Sequence, residues 1–220
     1  VGATLTPDQI PDSNSVGLAA QSREAGADIR SLGIASDNLA DVVDRLTLGL
    51  AWADVVVVSG GVSVGAHDVV KDAFDAVGQV DLWRVAVQPG KPLAFGRGRA
   101  QGRDGEVLMF GLPGNPVSSF VTFELFVRPV LRRLRGLEDL VGRDYVRATL
   151  TEPVTKSPGR RAFLRVRLAG NDQDGWTASL AGGQDSHVLS ALAAANGLAI
   201  VSEDDDSLPQ GAEVEVIRLR

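Results

Sequence analysis

The sequence contains no cysteine and only two histidines. Disulfides, thiol nucleophiles and thiolate metal sites are thereby excluded, and imidazole chemistry has little to draw on. No apolar run approaches the roughly 18 residues of a membrane-crossing helix. Lysine is scarce: of 22 basic residues only Lys71, Lys91 and Lys156 are lysines. With 28 acidic residues the net charge is −6, which argues against a nucleic-acid partner. Glycine is abundant instead, 25 in 220 residues, and it clusters between Gly60 and Gly114. Hydrophobic residues at 44% and charged residues at 23% fit a chain with a real core. Val1 is not an initiator methionine, and no signal-peptide pattern follows it, so the expectation is a piece of something longer.

Helix-period and strand-type patterns alternate over the first 137 residues. Ser13 or Ser15 is placed to cap a helix that stops at Gly26. Residues 29–34 read as a short strand, and Asp37 opens a second helix with Leu39, Val42, Val43, Leu46 and Leu50 on one face. The run DVVVV at 54–58 reads as a central parallel strand buried on both faces. A glycine-rich turn, SGGVSVG at 59–65, leads to a helix carrying Val69, Val70, Ala73, Phe74 and Val77 and ending at Gly78. Residues 82–87 form another expected strand. Residues 93–96 and 107–111 pair best as a hairpin. Asn115 caps the next helix, Pro116 suits its first turn, Gly136 follows its end, and Pro129 kinks or restarts it. This alternation predicts an open, mostly parallel α/β sheet with helices on both faces.

Beyond Gly136 helical periodicity nearly vanishes. Short alternating or β-rich runs at 145–150, 162–168, 176–180, 198–201 and 213–219 are separated by turn clusters, and only 188–195 looks helical. The expectation is an α/β domain over 1–137 and a small all-β, barrel-like domain over 138–220. The acidic run 203–206 reads as a solvated turn.

Open α/β sheets bind ligands at the carboxyl ends of their strands. Three loops qualify: the one bearing Asp37, the loop SGGVSVGAHD at 59–68, and GLPGNP at 111–116. In the second, Ser59, Gly60, Gly61, Ser63 and Gly65 suit close backbone approach to a phosphate, though a purely structural turn explains the glycines equally well. The loop is neither a dinucleotide fingerprint nor a Walker P-loop. His67 and His187 read as surface residues. Asp37 and Asp68 either cap helices or hold a divalent metal such as Mg²⁺, which takes one or two carboxylates. Lys91, in the stiff turn PGKP, either binds an anion or is simply exposed. Pro113, Gly114, Asn115 and Pro116 stiffen the third loop, and Ser118 lies in the first helical turn.

Taken together these segments resemble the MoeA and gephyrin E-domain family, the molybdopterin molybdenumtransferases. The resemblance rests on DSN at 12–14, LGIASDN at 32–38, ADVVVVSGGVSVGAHDVVKD at 53–72, VAVQPGKPLAFG at 85–96 and GLPGNPVSSFVTFELFVRPVL at 111–131. It continues with SPGRRAFLRVRL at 157–168 and GGQDSHVLSALAAANGLAIV at 182–201. It implies molybdenum insertion from molybdate into adenylylated molybdopterin with loss of AMP, in the cytoplasm, by a dimer in the full-length protein. It implies a MogA-like adenylyltransferase as pathway partner. By motif, Asp37 and Asp68 match the acidic positions of the substrate site. Lys91 matches the molybdate-region lysine, Pro113, Pro116 and Ser118 the loop positions, and Arg160 and Ser186 the anion-site residues of the β-domain. Two positions depart: Gln88 and Arg84 stand where the family has lysine, so Gln88 removes one positive charge. The family also carries two further N-terminal domains and an acidic T-G-D-E motif before the point where Val1 lies. The resemblance therefore implies that this piece does not catalyse insertion unaided. A different class of reading is a non-catalytic scaffold or binding module. A MogA-like adenylyltransferase fits less well, because that family ends with the α/β domain.

Overall fold

The computed structural model describes residues 6, 9–62, 69–99, 102, 104–137 and 142–219. Helix α1 (Asn14–Glu24) begins after Ser13, but neither expected serine caps it. The Asp12 carboxylate does so instead, accepting from the Ser15 amide at 3.0 Å and from the Ser15 hydroxyl. Residues 29–34 are not a strand. Gly33 turns with φ +78, its amide donates to Ser31 Oγ at 3.2 Å, and the Leu32 carbonyl accepts from the Arg45 guanidinium. Local side-chain bonds have displaced the ladder that the apolar pattern predicted.

Helix α2 (Leu39–Leu50) is capped by Asn38, not opened by Asp37: the Asn38 side chain accepts from the Asp41 amide at 2.9 Å. The Asp41 carboxylate reaches back to the Ser36 amide at 2.7 Å and to Arg45, one turn on, at 3.0 Å. Val42, Leu46 and Leu50 are buried as expected, whereas Leu39 faces solvent.

Strand β1 (Val55–Ser59) follows, then α3 (Val69–Val77), β2 (Gly78–Arg84), the two-residue β3 (Val87–Gln88), β4 (Pro92–Arg99) and β5 (Glu106–Leu112). The sheet order is β1-β5-β4-β2. Parallel pairing is confined to β1 with β5, while the β4–β5 hairpin and β2 run antiparallel. Among the described strands β1 is thus an edge, not the centre, and most of it is only half-buried. Strand β2 starts at Gly78, earlier than the sequence suggested, because the chain passes from helix to strand without a loop. Helices α2 and α3 pack Leu46, Leu50, Val70 and Phe74 against Val56, Ala94 and Met109.

The next helix comes in three pieces: α4 (Pro116–Thr122), a widened π turn (Phe123–Val127) and α5 (Arg128–Leu134). Pro129 has no N–H to give to the carbonyl four residues back. The π turn, in which the Arg128 amide reaches Phe123 O, absorbs the lost bond before regular helix resumes.

The remaining strands are β6 (Tyr145–Leu150), β7 (Val154–Thr155), β8 (Arg161–Asn171), β9 (Gly175–Leu180), β10 (Gly197–Val201), β11 (Ser207–Leu208) and β12 (Glu213–Arg218), with helix α6 (Leu189–Ala194) before β10. Strands β10, β12, β6, β9 and β8 follow in order, and β8 pairs back to β10, closing a five-stranded barrel. Inside lie Leu150, Leu164, Val166, Val201, Val214 and Val216. The fold class is therefore α/β followed by a small closed β-barrel.

The two parts share a core. Phe163, on the outer face of β8, packs with Val117, Val121, Leu198, Ile217 and Leu219. Burying one such aromatic contributes about 1.5–3 kcal/mol. Strand β3 crosses over as well, pairing in parallel with the start of β8, Val87 against Arg161 and Gln88 against Ala162.

Candidate functional site

The loops after β1 and β5 meet because they leave adjacent parallel strands at the same end. The Gly60 amide donates to Leu112 O at 3.0 Å, and the Ser59 hydroxyl donates to Pro113 O at 3.3 Å. Gly60 and Gly61 both take positive φ, +87 and +69. A Cβ on Gly61 would lie 2.8 Å from Val70, so glycine is required there on two counts. Asn14 closes the junction: its Nδ2 donates to Ser59 Oγ at 2.7 Å and to Gly114 O at 2.8 Å. Ser59 Oγ also lies 3.2 Å from Ser119 Oγ. Beside it, burial pushes the Asp12 carboxyl up, but bonds from the Ser15 hydroxyl and amide and from the Asn14 amide outweigh this and hold it below the usual range.

Asn115 sits at the N-cap position of α4 and its carbonyl accepts from the Ser119 amide. Its side chain does not cap the helix. It leaves for the barrel, where Nδ2 donates to Ser186 Oγ at 2.7 Å. The Ser186 carbonyl in turn accepts from the Val117 amide at 3.1 Å, taking one of the free N–H groups of the first turn. Ser118 is buried, and its hydroxyl has no partner among the described residues.

The PGK turn approaches from another side. Gly90 has φ +123 and packs so closely on α4 that a Cβ would lie 2.4 Å from Thr122 Cγ2 and 3.8 Å from Ser118 O. Lys91 is exposed and makes no ion pair among the described residues. Arg160 immediately precedes the residue that β3 pairs with, and Arg161 donates its amide to Ala86 O at 3.0 Å. Arg161 is neutralised by Glu203 at 2.9 Å, whereas Arg160, half-buried, has no described partner. The buried Gln88 Oε1 accepts no hydrogen bond. The turn at 89–91, the start of α4, Arg160 and Ser186 are thus gathered by the β3–β8 pair and the Asn115–Ser186 bond.

The other expected residues are dispersed or undescribed. Asp37 is exposed and without a partner among the described residues. Ser63, Gly65 and Asp68 lie outside the described residues, as does His67. His187 is exposed. Among the described residues no three His, Asp or Glu side chains gather as a metal site. Asp37 alone is too small a donor set to carry a reaction step. A groove of about 550 Å³, lined by Glu24, Phe120, Arg143, Leu189, Leu192 and Leu219, involves none of the expected residues. Asn14 was overlooked as a site residue; its place in the quoted DSN segment was the available signal. Ser119 and the second bond of Ser186 carried no signal, since both depend on which loops meet.

The family pattern described as a probable molybdopterin binding domain matches residues 1–133, and that of the MoeA C-terminal region (domain IV) matches residues 147–219. The chain belongs to the MoeA and gephyrin family. It is 40% identical over 224 residues to molybdopterin molybdenumtransferase 2 of Mycobacterium tuberculosis, covering 98% of this chain and 52% of that protein. It is 32% identical to the molybdopterin molybdenumtransferase of Haemophilus influenzae, with 98% and 52% covered. The chain spans about half the length of the curated relatives it matches. In structure it matches a molybdopterin biosynthesis MoeA protein from Pyrococcus horikosii with a TM-score of 0.80 at 31% identity, over 100% of this chain and 51% of that one. Among the described residues no helix is long and apolar enough to cross a membrane.

Proposed function

We propose that this MoeA-family chain serves molybdenum cofactor biosynthesis as the pterin- and molybdate-handling part of a molybdopterin molybdenumtransferase. The reaction is insertion of molybdenum from molybdate into adenylylated molybdopterin with release of AMP. The observation that supports the reading is that Lys91 and Arg160 make no ion pair among the described residues and lie on segments that the β3–β8 pair and the Asn115–Ser186 bond bring towards the start of α4. A tetrahedral dianion such as molybdate needs two cations and fixed hydroxyl or amide donors in one place. The Gly61 and Val62 amides receive the pterin phosphates, and the left-handed backbone at Gly60 and Gly61 turns the loop to present them. Lys91 and Arg160 hold the oxyanion, Ser118 and Ser186 donate to it, and Asn115 fixes the Ser186 hydroxyl. The expected divalent ion enters no step of this reading, because of its two expected carboxylates only the exposed Asp37 lies among the described residues. In this reading the longer protein is a cytoplasmic homodimer supplied by a MogA-like adenylyltransferase.

Isothermal titration of the 220-residue chain with molybdate and with molybdopterin tests the proposal. Binding that Lys91→Ala and Arg160→Ala each weaken about tenfold or more supports it. Equal titration curves for the parent and both variants would sink it and favour the scaffold reading.

A further inference from the structure

We propose that Arg165 is a positioning residue. Its buried guanidinium holds the 182–186 loop so that Ser186 meets the start of α4. The identity of the ligand at Ser186 rests on the function proposed above; the loop's anchoring does not.

Alternation along β8 turns Ala162, Leu164, Val166 and Leu168 into the barrel. Phe163 and Arg165 therefore share the outer face, and that face is covered at both positions. Arg165 is 1% exposed, the largest fully buried side chain in the described structure. Arginine is almost never buried to this extent without a carboxylate. Here Nη2 donates to two backbone carbonyls, Gly183 O at 3.2 Å and Asp185 O at 3.3 Å, and Nε has no partner. Burial makes the guanidinium easier to deprotonate than usual, and the Asp185 charge opposes this. A well-packed apolar side chain of the same length would serve the barrel's stability as well or better. What the apolar chain would lack is the grip on the loop.

That grip is two-sided. The two carbonyls flank Gln184, whose side chain returns to the Arg165 backbone. Gln184 Oε1 accepts from the Arg165 amide at 2.9 Å, and Gln184 Nε2 donates to the Arg165 carbonyl at 3.1 Å. One residue beyond Asp185 is Ser186, which receives the Val117 amide on its carbonyl and the Asn115 Nδ2 on its hydroxyl. The described side-chain hydrogen bonds of Arg165 go to the 182–186 loop and none goes to α4. Arg165 acts by fixing the three residues that deliver Ser186.

The test compares the 220-residue chain with Arg165→Met and Arg165→Lys. Amide hydrogen exchange is followed at Val117 and at the amides of β6 and β12. We expect Val117 exchange to rise about tenfold or more in Arg165→Met while the β6 and β12 amides hold steady. Arg165→Lys should be intermediate, because its ammonium can still donate to carbonyls but ends a shorter side chain than the Nη2 that reaches Gly183 O and Asp185 O. Unchanged Val117 exchange in the methionine variant would overturn the inference. So would a uniform rise across Val117, β6 and β12, which is the mark of a merely structural residue. If Arg165→Met does not fold, Arg165→Lys decides alone: selective acceleration at Val117 supports the role and parent-like exchange refutes it. Molybdate affinity measured on the same samples should fall in step with Val117 protection. If the parent binds no molybdate, the functional reading fails while the exchange data still decide the role of Arg165.

Discussion

Arg143 lies just before β6 and ties α1, the π turn and Leu219, the residue after β12, to one another. Its Nε donates to Glu124 Oε2 at 2.6 Å, Nη2 to Glu24 Oε2 at 2.9 Å, and Nη1 to Leu219 O at 2.8 Å. Glu124 is almost wholly buried, so Arg143→Met leaves a carboxylate in the interior with its main counter-ion gone. Removing one partner of a buried pair costs about 3–5 kcal/mol. Two neighbours soften the loss: Gln21 Nε2 still donates to Glu124 at 2.8 Å, and the Arg128 guanidinium remains at 3.8 Å. The expected destabilisation is therefore about 3 kcal/mol, at the lower end of that range. For a chain of this size that corresponds to a fall in Tm of about 6–12 °C by calorimetry. Adding Glu124→Gln should return part of it, since the stranded charge is the main penalty, and the double-mutant cycle should show coupling above about 1 kcal/mol. A Tm within about 2 °C of the parent, or strictly additive single effects, would refute this account of the cluster.

Acid stability should follow the carboxylates. In Glu24 burial raises the pKa, but the Arg143 bond and the nearby arginine charges win and lower it. Asp41 is lowered by Ser36 and Asp81 by Arg97. A lowered folded pKa means that the unfolded chain binds more protons in between. Stability should thus be full above about pH 4.5 and decline below about pH 4, as melting temperatures across pH 3–8 would register. Gly90→Ala forces both a positive φ and a clash with Thr122, and should cost about 2–4 kcal/mol by urea unfolding. Phe163→Ala opens the core shared by α4 and the barrel and should cost about 3–5 kcal/mol, measured the same way. Lys91→Ala, at an exposed unpaired position, should leave the melting temperature within about 1 °C while weakening molybdate binding.

The barrel was largely legible because short alternating or β-rich runs recur between turn clusters, and a β-rich run bounded by turns is a local property of the strand itself. The break at Pro129 was legible because a missing donor acts locally. Residues 29–34 were misread: apolar content suggested a ladder, but the pattern says nothing of Arg45 claiming the Leu32 carbonyl. The valines of β1 suggested a central strand, yet an apolar run does not reveal how many neighbours it has. Asn115 was placed correctly in the chain and given the wrong partner, since a capping residue and an inter-loop clamp look identical in sequence. Arg165 stood within a quoted motif, but only its burial beneath the 182–186 loop distinguishes it from the exposed Arg167 two residues on.

Strand β3 has a consequence for how far the barrel can move. It emerges from the α/β portion yet hydrogen-bonds into the barrel wall, like a stitch through two fabrics. Any large swing of the barrel away from the α/β portion would have to unzip Val87 and Gln88 from Arg161 and Ala162. The barrel is thus tied to the α/β portion by backbone hydrogen bonds as well as by the shared apolar packing around Phe163.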